Sequence, residues 1–182
     1  MVKKGKRNKV IILKGPPGVG KSFTSRKLIS RLKTTKIARI SIDEVLHFDQ
    51  RRNLTNDKLK LAKFHTAIMV RSFLREGFDV VIEYTFDITE HLEFLIDKIK
   101  RSHTEKIPAA DIYIFYLTAS IEEVTRRNKT RKDGSDPLRI GTLKRLYKSC
   151  EKTAGRVKGE LVINTDKAPV KKAVERIMEI IG

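Results

Sequence analysis

The chain has 182 residues, 40% hydrophobic and 34% charged, which suits a soluble globular domain over 1–182 that builds its own core. Its apolar runs are only a few residues long, far short of the roughly 20 needed to cross a bilayer, and no signal-peptide apolar region follows the basic start "MVKKGKRNK". The single cysteine, Cys150, excludes an internal disulfide framework and fits a reducing cytoplasm, while the net charge of +18 suits either a polyanionic partner, RNA or DNA, or plain solubility.

Residues 10–14 are apolar nearly throughout and read as a strand covered on both faces. The run "KGPPGVGKS" follows at 14–22, and a helix over 22–33 opens directly from it. Further buried strands are expected at 37–42, 79–83, 112–117 and 161–164. Between them, a helix over 57–75 carries Leu61, Phe64, Ile68 and Phe73 or Leu74 at helical spacing, which assigns these residues to the core, with Gly77 as its stop. Asp87 with Glu90, and Ser120 with Glu123, have the spacing of a capping box, and Pro169 suits the first turn of a last helix. Five strands alternating with helices predict an α/β, three-layer P-loop NTPase fold around a five-stranded parallel sheet, with a helical lid.

The run at 15–22 matches G-x-x-x-x-G-K-[ST] and has the required context of a strand before and a helix after. Gly15, Gly18 and Gly20 permit tight turns, so that backbone N–H groups between Gly15 and Phe23, with Pro16, Pro17 and Val19 in the loop, face phosphate oxygens. The helix start adds partial positive charge. Lys21 is expected at the β- and γ-phosphates of ATP, and the Ser22 hydroxyl on Mg²⁺. Two other runs imitate known sites. "RNKTR" supplies Asn128 and Lys129 of a guanine-reading loop, but Arg131 stands where an aspartate is required. "ISIDE", at 40–44, imitates the metal site of AAA-type ATPases, but Asp43 comes only 22 residues after Lys21 and so ends the second strand.

Asp43 therefore stands where open α/β sheets place their ligands, and a carboxylate there suits a general base for an acceptor hydroxyl, or a helix N-cap. Glu83, ending the third strand, is the candidate to hold Mg²⁺ through water. Tyr84 or Phe86 either stacks on a base or belongs to the core. His65, His91 and His103 show no metal-ligand spacing. Residues 126–158 carry 12 Lys/Arg against 3 Asp/Glu, half the net charge in one segment. Within it, Arg127 and Arg131 are spaced i, i+4 in a helix that breaks into a Gly/Asp/Pro loop, the form of a lid over about 126–140.

The stretch "YLTASIEEVTRRNKTRKDGSDPLRIGTLKRLYKS" resembles the lid region of the phage polynucleotide 5′-kinase and archaeal seryl-tRNA(Sec) kinase families, which share an R-N-x-x-R helix, a short loop and a second helix. "SID" is similar to the S-x-D that carries the phage family's base, and zeta-toxin and chloramphenicol-phosphotransferase kinases share this core more distantly. The resemblance implies Asp43 as base, Arg127 and Arg131 as lid arginines on ATP, and an adenine pocket near residues 164–167. Two departures stand out: no arginine closely follows Asp43, leaving Arg51 or Arg52 to hold a substrate phosphate, and Tyr84-Thr85-Phe86 replaces D-T-N. The reading is an ATP- and Mg²⁺-dependent kinase acting on a hydroxyl, preferably of a nucleic acid or nucleotide. A small-molecule kinase, or an AAA-like or RNA-stimulated ATPase without a phosphorylated acceptor, is the alternative.

Overall fold

In strand β1 (Asn8–Lys14) the side chains of Val10, Ile11, Ile12 and Leu13 are all fully buried, so both faces of the strand must be covered. They are. Val10 and Ile12 enter a cluster with Ala62, Val70 and Leu74 of one helix and Leu92 and Leu95 of the next, while Ile11 and Leu13 meet Leu28, Val174 and Ile177 on the other side. The remaining strands β2 (Ile37–Ser41), β3 (Asp79–Glu83), β4 (Ala110–Thr118) and β5 (Glu160–Asn164) complete a parallel sheet in the order β2-β3-β1-β4-β5. This computed structural model describes residues 7–182 apart from 33, 49–54, 102–105, 107, 131–135 and 167–169.

The helices are α1 (Lys21–Ile29), the short α2 (Ile42–Val45), α3 (Asn56–Arg75), α4 (Thr89–Lys100), α5 (Ile121–Lys129), α6 (Ile140–Thr153) and α7 (Val170–Ile181). Helices α3 and α4 cover one face of the sheet and α1 and α7 the other, giving three layers. β1 lies at the centre with β3 and β4 beside it, so the crevice at the carboxyl ends opens directly above β1. Among the described residues no helix is long and apolar enough to cross a membrane.

Several local expectations hold. Ser120 is the N-cap of α5, its hydroxyl accepting from the Glu123 N–H at 3.3 Å. Gly77 follows the C-cap of α3 at φ 78°, and the Gly77 and Phe78 N–H groups bond back to Leu74 and Phe73 at 3.1 and 2.9 Å. Others need correcting. Asp87 caps nothing, because α4 begins at Thr89 with Ile88 as its N-cap. β5 is an edge strand, and its Leu161 and Val162 are exposed rather than buried. The core face of α3 is also not the expected one: Leu61, Phe64 and Ile68 point outward, 38–42% exposed, while Ala62, Lys63, Thr66, Ala67, Val70 and Leu74 are buried. Small side chains on the inner face let α3 lie close to α4 and the sheet, which the larger residues would prevent. Pro169 lies outside the described residues.

Candidate functional site

The loop after β1 is built by backbone rather than side chains. Gly15 has φ 139°, donates its N–H to the Thr85 carbonyl at 3.3 Å, and lies so close to β4 that a Cβ would sit 2.2 Å from the Leu117 carbonyl oxygen. No residue but glycine fits there. Gly18 (φ 85°) packs on the Val124 backbone, and Gly20 (φ 93°) is the N-cap of α1. The result is a helix start, with Lys21 and Ser22 as its first residues, facing the crevice from the centre of the sheet. The Lys21 ammonium donates to the carbonyls of Gly15 and Pro16 at 2.8 and 3.0 Å, folded over the loop that it would serve. Pro17 is half-buried and Phe23 is 59% exposed, so the Phe23 side chain belongs to the surface.

Arg127 of α5 sits against this loop. Its guanidinium donates to the Val19 carbonyl at 3.4 Å, to Thr165 Oγ1 at 3.2 Å and to the Thr165 carbonyl at 2.7 Å, while Glu123 holds its Nε at 2.6 Å. Hydrogen bonds from Arg126 and then Arg127 hold the Glu123 carboxyl down at about 2. Arg127 thus joins the phosphate loop to the segment that follows β5, where the resemblance implies an adenine pocket. Asn128, singled out only as part of an imitation guanine loop, has a structural role: its side-chain amide donates to the Leu138 carbonyl at 2.9 Å and accepts from the Leu138 N–H at 3.0 Å. That pair ties the end of α5 to Leu138, just before α6. Arg131, Lys167, Arg51 and Arg52 lie outside the described residues.

On the other side of the crevice, Asp43 is exposed and stands in α2, just past the end of β2; Ser41, not Asp43, is the N-cap. Lys63 and Tyr84 lie close enough to feel its charge. Lys63 of α3 has no exposed surface, donates to the Leu59 carbonyl at 3.1 Å and lies 5.0 Å from the centre of the Tyr84 ring. Burial brings its ammonium down to about 8, against the pull of Asp87 and then Asp43. Tyr84 itself is buried, its hydroxyl pushed up by burial and then by Asp43, and its N–H bonds the Leu13 carbonyl at 3.2 Å. Tyr84 and Phe86 form an edge-on pair 5.2 Å apart and belong to the core. Phe86 is at φ 47°, the one described non-glycine residue in the left-handed region, and the bend it makes leads the chain to Asp87.

Glu83, at the end of β3, is 2% exposed and held by two neighbours that spacing could not reveal, Ser25 of α1 and Arg39 of β2. Ser25 follows Ser22 by one turn and also lies 3.0 Å from the Ser22 carbonyl. One hydroxyl and one carboxylate beside a phosphate cradle fit a Mg²⁺ that keeps most of its water and phosphate ligands. An all-protein cage is not offered: among the described residues no group of three His, Cys, Asp or Glu could hold a metal ion. Cys150 is buried beside this region, its thiol pushed up to about 12 by burial, which makes it a packing residue.

A model of the AAA domain family matches residues 10–152, most of the chain and all of this site except the segment after β5. The chain belongs to this AAA domain family. That makes it a P-loop NTPase, and the carboxylate next to its phosphate loop is Glu83 on β3, in register with Leu13, not the "ISIDE" aspartate, which follows edge strand β2. None of the curated proteins matches this AAA domain chain. Among solved structures it is similar to a tunicamycin resistance protein from Deinococcus radiodurans, at 19% identity over 97% of this chain and 96% of that one, with a TM-score of 0.67. It is also similar to a gluconokinase from Sinorhizobium meliloti 1021, at 15% identity over 97% of each chain and a TM-score of 0.66. A chain of the Pnkp1/Rnl/Hen1 RNA repair complex matches at 19% identity and a TM-score of 0.65, over 87% of this chain and 50% of that one. At such identities the likeness is one of fold.

Proposed function

We propose that the protein is an ATP- and Mg²⁺-dependent kinase that transfers the γ-phosphoryl group to a hydroxyl, by preference one on a nucleic acid or nucleotide. The observation that carries this reading is the pairing of a donor and an acceptor side about one strand end. Tyr84 bonds the residue two before the phosphate loop, and the same Tyr84 and the adjacent Lys63 feel the charge of Asp43.

Gly15, Gly18 and Gly20 shape a loop whose free backbone N–H groups would face the β- and γ-phosphates, and Lys21 would swing onto them from the carbonyls that it now caps. Mg²⁺, when bound, offsets phosphate charge, with Ser22 as a direct ligand and Glu83 taking one of its waters. Asp43 accepts the acceptor hydroxyl's proton as its oxygen bonds to the γ-phosphorus and the bond to the leaving ADP oxygen breaks. Arg127, with Arg131 by resemblance, brings cationic charge to ATP from the lid side. The acceptor preference rests on α6, whose exposed Lys144, Arg145, Lys148 and Lys152 form a cationic surface. The family match keeps a second reading in view, an ATPase that couples hydrolysis to RNA binding without an acceptor.

The test is γ-labelled ATP offered with 5′-hydroxyl RNA and DNA, tRNA, sugars and simple alcohols. Label on one acceptor class, lost roughly 100-fold or more in Asp43→Asn with nucleotide affinity unchanged, is the expected result. Free phosphate released only in the presence of RNA, with no acceptor labelled, supports the ATPase reading instead.

A further inference from the structure

Glu83 sits inside a closed ring of hydrogen bonds. Its Oε2 accepts from Ser25 Oγ at 2.9 Å, its Oε1 accepts from Arg39 Nη2, and Arg39 Nε donates to Ser25 Oγ at 3.1 Å. Sheet register explains the meeting: Arg39 is opposite Val81 and Ser41 opposite Glu83, so Arg39 and Glu83 share the face that α1 covers. The Ser25 hydroxyl has one proton and two acceptors within reach, Glu83 and the Ser22 carbonyl at 3.0 Å. The charged acceptor is the stronger one. Arg39 has an outer leg to Glu44 at 3.4 Å, but that carboxylate is 67% exposed and contributes little.

A buried ion pair is close to neutral for stability, so the ring calls for another reason to exist. A carboxylate has about four lone-pair sites, and the ring uses two, leaving the others for an outside partner. We propose that Ser25 and Arg39 are positioning residues for the metal side of the site: they fix the rotamer of Glu83 and aim its unused lone pairs at the water of a divalent cation held by Ser22 and nucleotide phosphate. The inference rests on the reading of Ser22 and Glu83 as the Mg²⁺ side given above. It adds two residues that belong neither to the phosphate-loop motif nor to the lid. Because α1 carries both Ser22 and Ser25, the hydroxyl ligand and the carboxylate's anchor move as one rigid turn.

The test reads binding without turnover, as the ratio of affinities for a non-hydrolysable ATP analogue with and without Mg²⁺, by calorimetry on the full chain. In the wild type Mg²⁺ tightens binding. Ser25→Ala, which changes no charge, should reduce that ratio about 10-fold while leaving the Mg²⁺-free affinity within about twofold. Arg39→Lys keeps the charge but loses the fork, and should lie between wild type and Ser25→Ala. Arg39→Met leaves Glu83 buried without its partner and is prone to misfold, so Arg39→Met/Glu83→Gln replaces it and should match Glu83→Gln alone. Ser25→Ala and Arg39→Lys with the wild-type ratio, beside a Glu83→Gln that loses it, would overturn the positioning role. A Glu83→Gln with the wild-type ratio would overturn it together with the metal assignment. Failure to label any acceptor, with these ratios as expected, counts against the kinase reading and leaves the ring's role in metal binding standing.

Discussion

Lys63 is the residue that most changes the picture of the acceptor side. A lysine buried among Leu59, Tyr84 and the core of α3 lowers stability in its charged form, since burial outweighs the attraction of Asp87 and Asp43. Its folded value, about 8, lies below the ordinary lysine range, so between about pH 8 and 10 the unfolded chain binds more protons than the folded one. Stability from this group therefore rises as pH rises through that window. Lys63→Met should be more stable than the wild type at pH 7, and the gap should close towards pH 10; urea denaturation at both pH values checks it. Transfer to the acceptor should fall in the same variant, because Asp43 and Asp87 lose a cation that feels the charge of both. A variant both less stable at pH 7 and fully active would remove Lys63 from the site.

At the scale of elements, α3 yields a matched pair of substitutions. Leu74 is 2% exposed and Leu61 is 42% exposed on the same helix. Leu74→Ala should cost about 2–5 kcal/mol and Leu61→Ala under about 1, measured by denaturant midpoint at constant slope. Equal losses would mean that the outward face is covered after all. The same helix shows what a sequence can and cannot disclose. β1 and β3 are apolar nearly throughout because both faces are covered, and their bounds were legible to within two residues. The phosphate loop was legible because the backbone shape it needs dictates which positions are glycine. The inner face of α3 was not, because side-chain size pointed to Leu61, Phe64 and Ile68 while close packing selected Ala62, Thr66 and Ala67. β5 lies where it was expected, and only its burial fails, for a related reason: an edge strand keeps its apolar residues without their cover. Nor could spacing find the ring around Glu83, whose partners lie 58 and 44 residues away and meet it only through strand order.

Across the whole molecule, the charge of +18 is not evenly compensated. On α7 two of the three cations have ion-pair partners, Arg176 with Glu179 at 2.9 Å and Lys171 with Glu175 at 4.0 Å. On α6, Lys144, Lys148 and Lys152 follow one another at i, i+4 and i+8 with Arg145 beside them, and none has an ion-pair partner among the described residues. Successive lysines in that row are roughly 6 Å apart along the axis, a spacing that lets one strand of phosphates meet them in turn. The inner side of the same helix reaches the carbonyls of Thr85 and Phe86 through Cys150 and Thr153, at 3.8 and 3.3 Å, so a strand lying on α6 would be anchored close to the crevice. Like charges left unpaired repel one another, and a polyanion relieves that repulsion by releasing its own counterions. Binding of a 5′-hydroxyl RNA, followed by fluorescence anisotropy, should therefore weaken steeply as salt is raised. In Lys144→Ala/Lys148→Ala/Lys152→Ala the slope of log K against log salt should be shallower by about 2, as for three lost contacts to a single strand. The labelled-ATP reaction on a neutral alcohol, run alongside, should not respond to the triple change. An unchanged slope in the triple variant would move the nucleic-acid surface away from α6, and a flat salt response in the wild type would leave the excess charge to solubility alone.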